Sequence, residues 1–281
     1  ATIDAGLFLA RCEISAPDVG VIALGRWGGG EMNYSSDADC MFVVPDGVDP
    51  EGIARATSLV RRAAEIVGKP GPDPALVIDT DLRPEGKGGP QVRTVASYAA
   101  YYESWASTWE AQMLIRARPG AGNRSLADEV LTGADGFRYP RGGLKPEQVA
   151  DIRKLKARME KERIPRGVDR ERHLKLGPGG LSDVEWTVQL LQLQHADEFP
   201  GLRTAATLGA LEELARVGLV EQEQSDRLAE AWRRASELRD AVMLVRGRAS
   251  DSIPSDAREL AAVAVLLGYP PREASQLENE T

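Results

Sequence analysis

The chain has 281 residues, long enough for two domains, with 42% hydrophobic and only 5% aromatic content, so each core is expected to be mainly aliphatic. A formal charge of −8 and a pI near 5.1 weigh against wrapping of nucleic acid, whose phosphates want a basic surface. No stretch is long and apolar enough to span a membrane, so neither nucleic acid nor membrane is expected as a partner.

In chain order, strand and helix signals alternate up to about residue 95. An apolar run, 19–24, holds a strand at 21–24. The segment Gly25-Arg26-Trp27-Gly28-Gly29-Gly30-Glu31 follows as a glycine turn. A second strand, 37–44, is closed by Pro45-Asp46-Gly47. Residues 51–67 form a helix with Ile53, Ala56, Leu59, Val60, Ala63 and Val67 on one face. A break at 68–74 leads to a third strand, 75–82, ended by Pro84, and then to a polar glycine loop, 85–90. A short strand is expected at 91–95.

Beyond it the signals are helical: 97–107 capped by Ser97, then a helix from Thr108 that carries Arg116 and Arg118. Residues 119–143 read as a loop around one short helix, and 145–163 as a helix dense in mixed charge, its run 153–163 a solvated face. After an irregular stretch, 165–180, come helices at 181–197, 204–217, 222–246 and 255–267. The expected organisation is a sheet-containing domain over 1–122 and an all-α domain over 123–281. Cys12 and Cys40 lack metal-ligand spacing and read as reduced thiols of a cytoplasmic protein. The chain begins without Met, shows no signal-peptide pattern and stops amid polar residues, so it reads as a fragment of something longer.

The chemistry concentrates at the start of the second strand. Asp37 and Asp39 alternate along it and so share a face, with Ala38 on the other. Carboxylates held that close repel unless a cation or proton lies between them, and the obvious cation is Mg²⁺, with Mn²⁺ as the alternative. The preceding glycines let backbone N–H groups approach phosphate oxygens, and a short helix starts there. The third strand carries Asp79 and Asp81, again at alternate positions. Laid beside the first pair, one of these acids completes a set of three, as in-line transfer at phosphorus requires. Two acids then hold the triphosphate metal, and the third bridges a second metal or takes the proton of the attacking hydroxyl. An isolated Asp-x-Asp is commonly a solvated strand end; the glycine turn before it and the acid strand after it point to a metal-bound nucleotide instead.

Gly28-Gly29 followed by Ser36-Asp37-Ala38-Asp39 resembles the nucleotidyltransferase fold of the DNA polymerase β superfamily. The longer run from Leu24 to Asp37, together with Ile78-Asp79-Thr80-Asp81-Leu82-Arg83-Pro84, Thr108-Trp109-Glu110-Ala111-Gln112, Arg116-Ala117-Arg118 and Gly179-Gly180-Leu181-Ser182-Asp183-Val184-Glu185-Trp186, resembles glutamine synthetase adenylyltransferase. The resemblance implies an α+β fold class: a polymerase β-like domain with a small mixed sheet, followed by an all-α bundle. It implies an enzyme that moves AMP from ATP to a tyrosine of glutamine synthetase and releases pyrophosphate, with PII-type signal proteins and glutamine as regulators. The blocks at 108–112 and 145–163 are closer to the half of the family that adds AMP than to the half that removes it by phosphorolysis to ADP. A non-catalytic nucleotide sensor is a third reading, and the intact acid set argues against it. The resemblance implies catalytic and metal-binding roles for Asp37, Asp39 and Asp79, and ATP contacts for Gly28, Gly29, Ser36, Arg83 and Arg116. Asp79 matches the shared acidic position, whereas Asp81 stands where the family often has Arg, and Trp27 where Leu is common.

Arg83, Arg116 and Arg118 suit triphosphate because a guanidinium makes paired, charge-assisted bonds. Arg116 and Arg118, two apart on a helix, face apart, so at most one reaches phosphate unless the helix ends between them; the other pairs with Glu110 or another acid. Glu31 is expected to be structural, and one of Ser35 and Ser36 to donate to phosphate. Lys175, Asp183 and Glu185 are expected either to complete the cleft or to hold the domains together. The five tryptophans are expected in the core, and His173 and His195 to do no chemistry.

Overall fold

The computed structural model describes residues 1–71, 75–270 and 277. They form two compact units, one of residues 1–32, 36–144 and 192–206, the other of 33–35, 145–191 and 207–281. The division expected at 122/123 falls inside the first unit.

The first unit runs α1 (Thr2–Arg11), β1 (Gly20–Ala23), α2 (Gly25–Gly29), β2 (Ala38–Val44), α3 (Pro50–Val67), β3 (Ile78–Asp79), β4 (Val92–Thr94), α4 (Val95–Ser104), α5 (Thr108–Ile115), β5 (Arg118–Gly122), α6 (Arg124–Gly133) and α7 (Asp135–Arg138). Its mixed five-stranded sheet has the order β3-β2-β1-β5, and β4 also pairs with β2. β1 is antiparallel to β2 and to β5. β3 and β4 both run parallel to β2, β3 at Ala38 and Asp39, β4 at Phe42 to Val44.

From Cys40 to Val44, β2 is an uninterrupted apolar run because both faces of the sheet are covered there. Ala38, Cys40, Phe42 and Val44 enter a core shared with α1 and α3. Met41 and Val43 enter a second core with Tyr98, Tyr102, Leu114, Leu126 and Val130. The Tyr98 hydroxyl, buried there, donates to the Phe42 carbonyl at 3.1 Å. α3 begins where Asp49 accepts the Gly52 N–H at 2.7 Å, with Pro50 in the first turn. It buries Ala56, Leu59, Val60 and Ala63.

Several elements depart from the sequence reading. The third strand shrinks to Ile78–Asp79, because Asp79 Oδ1 accepts the Asp81 N–H at 2.7 Å and Arg83 N–H bonds Thr80 O at 3.1 Å, which turns the chain. Of the expected break at 68–74, residues 72–74 lie outside the described residues. α4 is capped by Thr94, which accepts the Ser97 N–H at 3.2 Å, rather than by Ser97. α5 ends at Ile115, so Arg116 is its C-cap and Arg118 opens a strand. The expected loop at 119–143 holds most of β5, all of α6 and α7. The N-terminal helix α1, which no sequence signal above marked, packs on α3 through Gly6, where a Cβ would lie 3.3 Å from the Ala63 carbonyl oxygen.

The second unit contains α8 (Pro146–Arg163), the greater part of α9 (Leu181–His195), α10 (Thr207–Arg216), α11 (Gln222–Arg246) and α12 (Ala257–Leu266). Leu174, Leu238, Val242, Leu260 and Val263 form its core. α8 buries only Ile152 fully, in keeping with its charge. No helix among the described residues is long and apolar enough to cross a membrane.

Leu59 has no exposed surface and joins α3 to the sheet. Leu59→Ala is expected to cost about 2–5 kcal/mol, read as a lower urea midpoint of the first unit. A loss below about 1 kcal/mol would contradict this packing.

Candidate active site

The glycine turn is a short helix clamped against β5. Leu24 N–H bonds Asp39 O at 2.9 Å, fixing the end of β1 to the acid strand. Gly25 follows with φ +51°, and a Cβ there would strike the Asp39 carboxylate. At Gly28 the backbone meets the Arg116 carbonyl so closely that a Cβ would overlap it. Gly29 lies against the Arg116 guanidinium and the Ala205 carbonyl. The Gly28 N–H is bonded to Leu24 O at 2.6 Å, so this glycine contributes space and its donor is engaged within the turn.

Arginines hold the far end of the turn. Arg118 Nε donates to Gly28 O at 2.8 Å and Nη2 to Trp27 O at 3.0 Å, the latter a carbonyl that also accepts the Gly30 N–H at 3.1 Å. Arg116 forms an ion pair with Glu31, their side chains 6% and 9% exposed. Glu31 is therefore structural. Glu110 instead closes the α5 capping box, accepting the Ser107 N–H at 2.8 Å, and burial raises its carboxyl pKa.

One carboxylate oxygen from each of Asp37, Asp39 and Asp79 lies within 4.8 Å of the other two. The β2–β3 pairing sets Asp39 directly opposite Asp79, and Asp37 lies just before β2. Asp37 is exposed, and the other two are half-buried. Unit charges at such separations repel by about 1 kcal/mol in water and about 3 kcal/mol beside protein. Burial pushes the Cys40 thiol pKa upward, and the charges of Asp39 and Asp79 push the same way. Ser36, half-buried, directly precedes Asp37. Ser35 Oγ lies 3.2 Å from Asn33 Oδ1.

Asp81 does not share the face of Asp79, because β3 has already ended; its carboxylate lies 3.1 Å from Lys87 Nζ. Arg83 is turned into its own loop. It donates to Thr80 O at 2.8 Å, Thr80 Oγ1 at 3.1 Å, Gly89 O at 3.0 Å and Lys87 O at 3.1 Å. Glu85, the one non-glycine residue with positive φ among those described, pairs with Arg93 at 2.6 Å, and Arg93 stacks over Tyr101 at 5.5 Å. The glycine-flanked Lys87, 83% exposed, received no role in the sequence reading. Its signal is the spacing Gly86-Lys87-Gly88-Gly89 soon after the acid strand.

In the second unit, Asp183 pairs with Lys156 and accepts the Gly179 N–H at 2.7 Å. Glu185 accepts the Trp232 indole N–H at 3.3 Å. Both acids are half-buried and bond residues of their own unit. Lys175 is exposed. His173 Nδ1 accepts the Leu176 N–H at 3.1 Å, and burial lowers its pKa. His195 ends α9. Trp27 packs on the first core and Trp232 is buried, but Trp105 is 79% exposed, contrary to a core placement.

Residues 7–132 match the family model of glutamate-ammonia ligase adenylyltransferase. Over these residues the chain is similar to that family. Residues 150–280 match the model of GlnD PII-uridylyltransferase. A bifunctional glutamine synthetase adenylyltransferase/adenylyl-removing enzyme of Cutibacterium acnes is 54% identical over 269 residues, covering 95% of this chain and 27% of the relative. Proteins of the same name from Mycobacterium avium and Streptomyces avermitilis are 49% and 54% identical, over 92% and 89% of this chain and 26% and 25% of theirs. The chain thus spans about a quarter of the length of the curated relatives it matches.

Gly28→Ala is expected to destabilise the first unit by about 1–3 kcal/mol, since two backbones must part to admit a methyl group. A thermal melt unchanged from the parent chain would contradict the close approach of Gly28 to Arg116.

Proposed function

We propose that the first unit is a nucleotidyltransferase domain that adds AMP from ATP to a tyrosine hydroxyl of glutamine synthetase. The observation that carries this reading is the convergence of Asp37, Asp39 and Asp79 within 4.8 Å. The donor set fits a divalent cation such as Mg²⁺: three hard carboxylate oxygens, with the Cys40 side chain directed to the hydrophobic core on the other face of β2. A cation held there would neutralise triphosphate charge and polarise the α-phosphorus.

Asp37 and Asp39 would hold that cation, which would supply the positive charge that orients the triphosphate. Asp79, the third ligand, also takes the proton of the acceptor hydroxyl. The acceptor oxygen forms the bond to the α-phosphorus as the bond to pyrophosphate breaks, leaving AMP on the tyrosine. Gly29 and Ser36 line the phosphate side of the turn, with Gly28 providing room. Arg116 shapes the site from behind through Glu31, and Arg83 through its loop. The printed names of the relatives cover both adding and removing of AMP, so direction rests on the resemblance of the blocks at 108–112 and 145–163 to the adding half.

Asp37→Asn and Asp39→Asn are each expected to lower AMP transfer by about three orders of magnitude, the size of a several-kcal/mol loss at the metal. Without metal, both variants should melt at or above the parent temperature, because like-charge repulsion is relieved. Near-parental turnover in either variant would remove these acids from the site.

Direction is read with α-labelled ATP and unmodified glutamine synthetase, which the chain is expected to label. Incubation with the modified synthetase and orthophosphate is expected to yield no ADP. The reverse pair of results would assign the chain to AMP removal.

A further inference from the structure

Three cations were candidates for the triphosphate, and the fold occupies all three. Arg116 pairs with Glu31. Arg118 caps the carbonyls of Trp27 and Gly28. Arg83 bonds the carbonyls of Thr80, Lys87 and Gly89. The three carboxylates nearby add negative charge to a site meant for a polyanion. A bound cation offsets part of it, and the phosphates remote from the reacting atom still need a counter-charge.

Lys87 is placed to supply that charge. The loop that carries it closes on itself tightly: Gly86 N–H bonds Arg83 O at 2.8 Å, Gly89 N–H bonds Gly86 O at 3.1 Å, and a Cβ at Gly89 would overlap the Pro84 carbonyl. Arg83 fills the loop, and Glu85 anchors it to Arg93. The Lys87 side chain is 83% exposed, and its Nζ lies 3.1 Å from Asp81 Oδ2. The Asp81 N–H is in turn 2.7 Å from Asp79 Oδ1. Covalent geometry then limits Nζ to about 10 Å from that Asp79 oxygen, and the four-carbon stem can swing further toward the three acids. A lysine is a mobile point charge suited to phosphate, and its hold on an exposed Asp81 is weak enough to exchange.

We propose that Lys87 binds the β- and γ-phosphates of Mg·ATP, exchanging its ion pair with Asp81 for the triphosphate. The assignment rests on reading this unit as an ATP site, and it adds the residue that recognises the pyrophosphate end. Asp81 is then a competitor for Lys87, so substitutions of the two partners should act with opposite sign on phosphate binding. A pair that merely braced the loop would not behave so.

The test is calorimetric titration of the 281-residue chain and its variants with Mg·ATP, Mg·pyrophosphate and AMP. Lys87→Met is expected to weaken Mg·ATP and Mg·pyrophosphate by about tenfold and to leave AMP unchanged. Lys87→Arg should restore most of the loss, and Asp81→Asn should bind pyrophosphate at least as tightly as the parent. Parental pyrophosphate affinity in Lys87→Met would overturn the proposal while leaving the ATP site in place. A loss that extends to AMP, or that Lys87→Arg fails to restore, would make Lys87 a structural part of the loop and also overturn it. Weaker pyrophosphate binding in Asp81→Asn would do the same. If the parent chain bound no Mg·ATP, the ATP site and the lysine assignment would fall together.

Discussion

The parallel pairing of Ala38 with Ile78 and Asp39 with Asp79 holds like charges together against their repulsion. Each carboxylate pair opposes the fold by about 1–3 kcal/mol. The opposing stabilisation lies directly beneath. Ala38, Cys40, Phe42 and Val44 are buried on one face of β2, Met41 and Val43 on the other. At about 1.5–3 kcal/mol for each large buried side chain, this strand holds its acids in place with a margin. The charged end of β2 is therefore strained locally and secure globally, the arrangement expected of a preorganised site.

Legibility in the sequence followed physical range. β2 is a continuous apolar run after Asp39, α3 is periodic and capped by Asp49, and α11 spans the residues that its pattern marks. The grouping of Asp37 with Asp39 follows from the two-residue period of a strand, and Asp79 from the next acidic strand. β5 was illegible because Arg118-Pro119-Gly120-Ala121-Gly122 has almost no intrinsic strand preference. It is a strand because β1 pairs with it, despite a register shift between Val21 and Ile22. Asp81 was misread because a side chain, Asp79, ended the strand by accepting a backbone N–H.

The arginines show a different limit. Residue type and position marked Arg83 and at most one of Arg116 and Arg118 for phosphate; Arg116 pairs with Glu31, while Arg83 and Arg118 bond backbone carbonyls. A guanidinium with five fixed donors is well suited to fastening irregular backbone where glycines leave carbonyls open. This unit uses arginine as internal bracing around a glycine turn and a glycine loop. A single-donor-group lysine stands exposed at the crest of that loop.

The sheet order also restricts how a protein partner can be recognised. β3 and β4 divide one edge of β2 between them, and each is only two or three residues long. At the opposite border, β5 carries Pro119, which has no N–H to donate, and two glycines. Neither border offers a long ladder of free main-chain donors and acceptors. Among the described residues, the sheet borders thus disfavour extension by an added strand. If the unit adds AMP to a tyrosine as proposed above, side chains and surface shape recognise that acceptor, in residues that can change without disturbing the strands.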